Sequence, residues 1–176
     1  MPAYYKSFRS GQLGSQLPIL STELDSVRVY QFEVHFEGVP GISNPSRLTL
    51  AAKQVSPIGV TVDDIEAHRV NEKFFYPGKP SPDEVTITFD DLYNGASRTL
   101  YTWFKGVYNN QDGSIITNKA QRVSVVQLDG NMEVKGSTTM YGVYPKAWKE
   151  SEYNYSTAND FHTIEMTLRY DFADHQ

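Results

Sequence analysis

The stretch FFYPGKPSPDEVTITFDD, residues 74–91, decides how this chain is read. Three aromatic residues, Phe74, Phe75 and Tyr76, run into Pro77, Pro80 and Pro82. A strict alternation follows, with Val85, Ile87 and Phe89 on one face and Thr86 and Thr88 on the other. That period of two marks a half-buried β-strand. A stiffened aromatic segment directly before such a strand has two possible uses. Either it is a rigid turn whose aromatics cover this chain's own core, or something outside the chain packs on it.

The segments upstream share the strand character. In VRVYQFEVHFE, residues 27–37, Tyr30, Phe32, Val34 and Phe36 share one face and Gln31, Glu33, His35 and Glu37 the other. GVPGISNPS reads as a loop, because Gly, Pro and Asn supply its turn chemistry. RLTLAAKQV, residues 47–55, reads as a second strand. Residues 58–78, IGVTVDDIEAHRVNEKFFYPG, read as a long polar hairpin with its turn near residues 67–71. Its register is weakly specified, since neither face is strongly apolar.

Downstream the period changes once. Ala96, Leu100, Trp103, Phe104 and Val107 recur at helical spacing and form one packing stripe. Asn94 and Ser97 are the candidate caps, and the Asn-rich segment after Val107 ends the helix. Asp129-Gly130 then signals a hairpin between two alternating runs, the second continuing through STTMYGVYP to residue 145. Residues 146–160 are polar and irregular. The final strand, FHTIEMTLRYDF, sets Ile164, Met166, Leu168, Tyr170 and Phe172 against Thr163, Glu165, Thr167 and Arg169. The pattern predicts a mainly β fold: an antiparallel β-sandwich or barrel with one flanking α-helix. It is one β domain over residues 27–176, with the hairpin at about 58–80 and the helix at about 95–108. A Gly- and Ser-containing arm with Tyr4, Tyr5 and Phe8 precedes it over residues 1–26.

Composition narrows the function. The 176 residues fit one domain with a real core, and 39% hydrophobic with 21% charged residues argues against wholesale disorder. A formal net charge of −5 provides no footprint for gripping nucleic acid. The absence of cysteine removes disulfides, thiolate metal sites and a cysteine nucleophile. No run approaches the ~18 apolar residues of a membrane span. MPAYYKSFRSGQLGSQ lacks the apolar run of a secretory signal.

No catalytic constellation emerges. His35, His68, His162 and His175 show no paired metal-ligand spacing. Asp63-Asp64 and Asp90-Asp91 are adjacent, so on a strand their carboxylates point to opposite faces, and they read as turn or strand-end residues. SGQLGS is not a phosphate loop, and there is no nucleophile elbow. Asn154 heads a three-letter glycosylation match of the kind frequent by chance. The twelve Tyr, nine Phe and two Trp lack the interleaved basic clusters of a single-strand-binding platform. The reading is a binding or assembly module, with no catalytic residues, metal or cofactor.

Three places in the chain resemble the tail tube protein family of contractile-tailed bacteriophages. EVTITFDDLYNGASRTLYTWFKGVYN, residues 84–109, is similar to that family's strand running into an aromatic-striped helix. GVYPKAW, residues 142–148, is similar to its Gly-aliphatic-aromatic-Pro strand end. ANDFHTIEMTLRYDF, residues 158–172, is similar to its closing turn and strand. The resemblance covers roughly residues 27–172. GVPGISNPSR and STTMYG look like insertions, and the arm is longer than compact members need.

The resemblance implies an Hcp-like tube subunit in the virion tail, assembled in the host cytoplasm. Hexameric rings would stack into a hollow conduit through which DNA passes without specific binding. A contractile sheath and baseplate or tube-terminator proteins are the expected partners. A long hairpin and the terminal arm bridge neighbouring subunits and rings. Here these contacts would fall on Asp63, Asp64, Ile65, Arg69, Phe74, Phe75 and Tyr76 of the hairpin, and on Tyr4, Tyr5 and Phe8 of the arm. A tube-initiator or baseplate protein, or the tube of a phage-like injection system, is the related alternative. A small-ligand-binding β-barrel, or an enzyme with a dispersed site using His35, His68 or Asp64, is the alternative from another class.

Overall fold

A computed structural model describes residues 28–93, 95–109, 111–116, 119–156 and 160–176. Strand β1 (Phe32–Glu37) buries Val34 and Phe36 and exposes Glu33, His35 and Glu37. RLTLAAKQV does not form one strand. It splits into a one-turn helix, α1 (Ser46–Ala51), and a short strand, β2 (Ala52–Val55). The alternation of Leu48 and Leu50 suggests a strand, but Leu48 and Ala51 are also three apart, on one helical face. Both are buried while Leu50 is exposed, and Pro45 with φ −70° enters the turn already in helical geometry.

Strands β3 (Val60–His68) and β4 (Lys73–Pro82) form the long hairpin, and β5 (Val85–Asp90) follows at once. Helix α2 (Ala96–Val107) buries Ala96, Leu100 and Trp103, with Phe104 packed against the core from its edge. Its N-cap is Gly95 at φ 82°, and no side chain caps it. Ser97 lies inside the first turn instead. Glycine takes this left-handed position without a Cβ penalty. Strands β6 (Ala120–Leu128), β7 (Val134–Glu150), β8 (Thr163–Arg169) and β9 (Phe172–His175) complete the described elements.

All strand pairs are antiparallel, in the order β1-β6-β7-β8-β5-β2, with β9 also on β7. Strand β7 is the hinge of this arrangement. Its first part, to Val143, pairs with β6 and β9, and its part from Tyr144 onward pairs with β8. Between them Gly142 sits at φ 64°, where an added Cβ would stand 2.1 Å from Asp171 Oδ2. STTMYG lies within β7 and contributes fully buried Met140. Likewise the strand continues to Glu150, through a segment that reads as irregular from its polar residues.

The C-terminal run also breaks where the alternation continues. Tyr170 is buried, but Asp171 turns the chain, its N–H donating to Tyr141 O. Phe172 then starts β9 on the other side of the corner, exposed and stacked on Tyr141 at 4.7 Å. Inside, Phe36 lies 6.0 Å from the Phe89 ring and 6.4 Å, edge-on, from Trp103. Helix α2 thus seals the core opened by the two halves of the sheet.

Candidate assembly interface

The hairpin stands apart from this body. Strands β3 and β4 pair with each other and with no other strand among the described residues. The turn falls at residues 69–72, where Arg69 N–H donates to Glu72 O at 2.8 Å and Glu72 N–H donates back at 3.4 Å. Those bonds fix the ladder phase: residues 68/73, 66/75 and 64/77 are the non-hydrogen-bonded pairs. Pro77 thus needs no N–H. At the root, Asp83 N–H donates to Gly59 O, which makes 60/82 and 62/80 non-hydrogen-bonded as well. Pro82 and Pro80 sit there.

All three prolines can share this phase only because the register slips between Val62 and Asp64. Two residues of β4, Gly78 and Lys79, lie between the pairs that flank Asp63 alone. Gly78 is required at this bulge: a Cβ would stand 2.6 Å from Asp63 O. The prolines therefore do not merely fix the exit geometry after the hairpin. They are part of its second strand, with their missing donors on the outer edge, which protects that edge from unwanted pairing.

The same register sorts the side chains. Val60, Val62, Asp64, Glu66, Phe75, Pro77, Pro80 and Pro82 share one face. Ile65, Ala67, Phe74 and Tyr76 share the other. Each face thus carries exposed apolar side chains among polar ones. Phe74, Phe75 and Tyr76 are 43%, 59% and 54% exposed, so they do not cover this chain's own core. Of the sequence-derived contact residues, Asp63, Asp64, Ile65, Arg69, Phe74, Phe75 and Tyr76 come together on this ribbon. Tyr4, Tyr5 and Phe8 lie outside the described residues.

The ribbon is clamped at its root by Tyr170 and Arg169, which the sequence reading assigned only to strand faces, and by Lys146, which it left in an irregular segment. Tyr170 donates its hydroxyl to Gly59 O at 2.6 Å. Arg169 donates to Pro82 O at 2.9 Å and to Glu84 Oε1 at 2.8 Å, and Lys146 also pairs with Glu84. Thr61 Oγ1 donates to Asp83 at 3.2 Å. Both ends of the hairpin root, Gly59 just before β3 and Pro82 at the end of β4, are thus held by side chains at the end of β8 reaching backbone carbonyls. Burial pushes the Tyr170 phenol above the usual tyrosine range, so it is a donor at neutral pH. Tyr170→Phe removes one partly buried hydrogen bond, and the expected loss of unfolding free energy is about 0.5–1.5 kcal/mol, read from urea denaturation.

The hydrogen bond from Lys146, with the nearby charges of Lys146 and Arg169, holds the Glu84 carboxyl below its ordinary value of 4.5. A carboxylate with a depressed folded-state pKa contributes stability above its unfolded value, and that contribution is lost as pH falls through the folded value. Glu84→Gln should therefore flatten the acid limb: its urea midpoint should fall less between pH 5 and pH 3 than that of the parent chain.

The other chemistry-bearing residues do not converge. His35 pairs with Glu33 on β1 at 3.1 Å, while His68 and Asp64 lie on β3. Asp90 pairs with Lys53 and Asp91 with His162, each at 3.1 Å, so the adjacent carboxylates serve different elements. Among the described residues no group of three His, Asp or Glu side chains could hold a metal ion. No described helix is long and apolar enough to cross a membrane.

No family model and no curated protein matches the chain. Solved structures do. A chain of the six-fold symmetrised anti-feeding prophage baseplate superposes with a TM-score of 0.71 at 17% identity, covering 86% of this chain and 96% of that one. A chain of the sheath–tube complex of an extracellular contractile injection system, PVC, in its extended state gives 0.69 at 19% identity, covering 89% and 97%. The SPP1 tail tube gives 0.54 at 11% identity, covering 86% and 79%. The chain has the tail-tube fold. Within that fold, the β3–β4 ribbon exposes Val60, Val62, Ile65, Phe74, Phe75 and Tyr76.

Proposed function

We propose that this chain is the structural subunit of a phage tail tube: it forms hexameric rings that stack into a hollow conduit for DNA. The observation that carries this reading is the ribbon of β3 and β4. It is rooted firmly, pairs with no other strand among the described residues, and exposes apolar side chains on both faces. An isolated two-stranded ribbon is marginal in water, and burial between neighbouring subunits would stabilise it. Asp63, Asp64, Ile65 and Arg69 would set its register there, with Phe74, Phe75 and Tyr76 as anchors, and Tyr4, Tyr5 and Phe8 of the arm would reach the next ring. The six-fold symmetrised particle whose chain shares the fold supports the ring number.

The role is passive. DNA would slide through a lumen lined by polar strand faces, with Thr86 and Thr88, or Gln31 and Glu33, as candidate lining. A lumen poor in Lys and Arg avoids the counterion-release affinity that would hold DNA in place. A sheath, a baseplate and a tube terminator would be its partners in the virion. The higher TM-scores to injection-system chains than to the SPP1 tail tube support a second reading, the tube of a phage-like injection particle or its initiator.

Negative-stain electron microscopy of the purified protein at low and high concentration tests the assembly. Rings or stacked tubes are the expected result. Uniform monomers at every concentration, with or without a baseplate template, would overturn it and favour the ligand-binding barrel.

A further inference from the structure

The strand order leaves β1 at one end of the sheet and β2 at the other. These two edges face each other across a groove of about 900 Å³. Phe32, Val55, Ile58 and Val125 give it an apolar floor, and Gln54 and Gln127 a polar rim. The groove is built to take a backbone. Leu128 N–H donates to Gln31 O, so by alternation the N–H and C=O of Phe32 point away from β6 toward the groove. On the other side Ser56 N–H donates to Thr86 O, so those of Val55 point away from β5. Unpaired edge groups beside an apolar floor are the requirements for strand addition.

We propose that residues 17–20 of the same chain, Leu-Pro-Ile-Leu, occupy this groove in extended form and close the sheet between β1 and β2. Two observations select this occupant. Residues 1–27, outside the described residues, lead directly into Arg28, which itself lines the groove, so a segment from there would enter at its mouth. Leu17, Ile19 and Leu20 are also the densest apolar cluster in those residues, and Pro18 biases Leu17 toward extended geometry. Residues 21–27 allow a reach of up to about 24 Å at ~3.4 Å per residue, sufficient for the chain to reverse and lie back along the edge. The proposal concerns the single subunit and does not rest on tube assembly.

Because the chain has no cysteine, engineered cysteines test this directly in the full-length protein. Leu17→Cys, Ile19→Cys and Leu20→Cys are each combined with Val125→Cys in the floor. Gln127→Cys at the exposed rim is the alternative partner should a floor substitution disturb folding. A short bismaleimide is then applied to dilute protein. Docking raises the local concentration of one cysteine near the other, and at least one pair is expected to couple within the chain about tenfold faster than a Leu20→Cys/Ser114→Cys control. Coupling no faster than the control overturns the proposal. Coupling chiefly between chains overturns it too, since the occupant would then come from a second copy.

Discussion

Replacing Trp103 with alanine is expected to lower the unfolding free energy by about 3–5 kcal/mol, the range for large aromatic truncations in cores. Trp103 is fully buried on α2 and meets Phe36 edge-on, joining the helix to β1 through the centre of the molecule. Leu100 and Ala96 flank it and are equally buried. Typical domains hold only about 5–15 kcal/mol in all, so the variant should be largely unfolded at modest urea concentration. The indole N–H adds a second test, because it is buried with no hydrogen-bond partner among the described residues. Trp103→Phe keeps most of the packing and removes the unsatisfied donor, so its loss should be much smaller, under about 1.5 kcal/mol. Urea denaturation followed by far-UV circular dichroism measures both. Equal losses would mean that the core needs the whole bicyclic ring, which phenylalanine does not fill.

Trp103 was legible because its stripe has one period and one partner surface. The same holds for β1, β5 and β8, each packed on one core by one face, so that alternation in sequence becomes alternation in burial. What escaped the sequence has a common cause: in each case two elements share residues, or one period mimics another. α1 is a single turn, too short to show a helical period, and its leucines alternate as a strand would. β7 serves two halves of the sheet through a corner at Gly142, and no local pattern marks a glycine as a corner. Phe172 continues the spacing of Leu168 and Tyr170, but the chain changes sheets at Asp171. The hairpin itself was visible from its turn residues and prolines. Its two faces were not, because a one-residue bulge at Gly78 and Lys79 inverts the parity of everything beyond it. The root clamp of Arg169 and Tyr170 joins residues far apart in sequence to backbone carbonyls, which carry no sequence signature.

The bulge turns the assembly reading into a sharper expectation. Phe75 lies on the face of Val62 and the prolines, whereas Tyr76 lies on the face of Ile65 and Phe74. If neighbouring subunits cover only one face, one of these aromatics is spare. If they cover both, each is an anchor on its own. The exposure of both residues in the single chain, 59% and 54%, argues for cover on both. Phe75→Asp and Tyr76→Asp, made separately, should change the stability of the monomer by no more than about 1 kcal/mol, since neither supports the core. Each should remove an aromatic anchor worth about 2 kcal/mol or more at an interface, raising the concentration needed for tubes by roughly 30-fold. Sedimentation across a concentration series, with electron microscopy of the pellets, reads this directly. Normal tubes from Tyr76→Asp but none from Phe75→Asp would show that a single neighbour holds the ribbon by its proline face. Loss in both, with unchanged urea midpoints, would mean that each ribbon lies between two surfaces, the prolines keeping its outer edge from pairing and the bulge at Gly78 setting which side chains each surface meets.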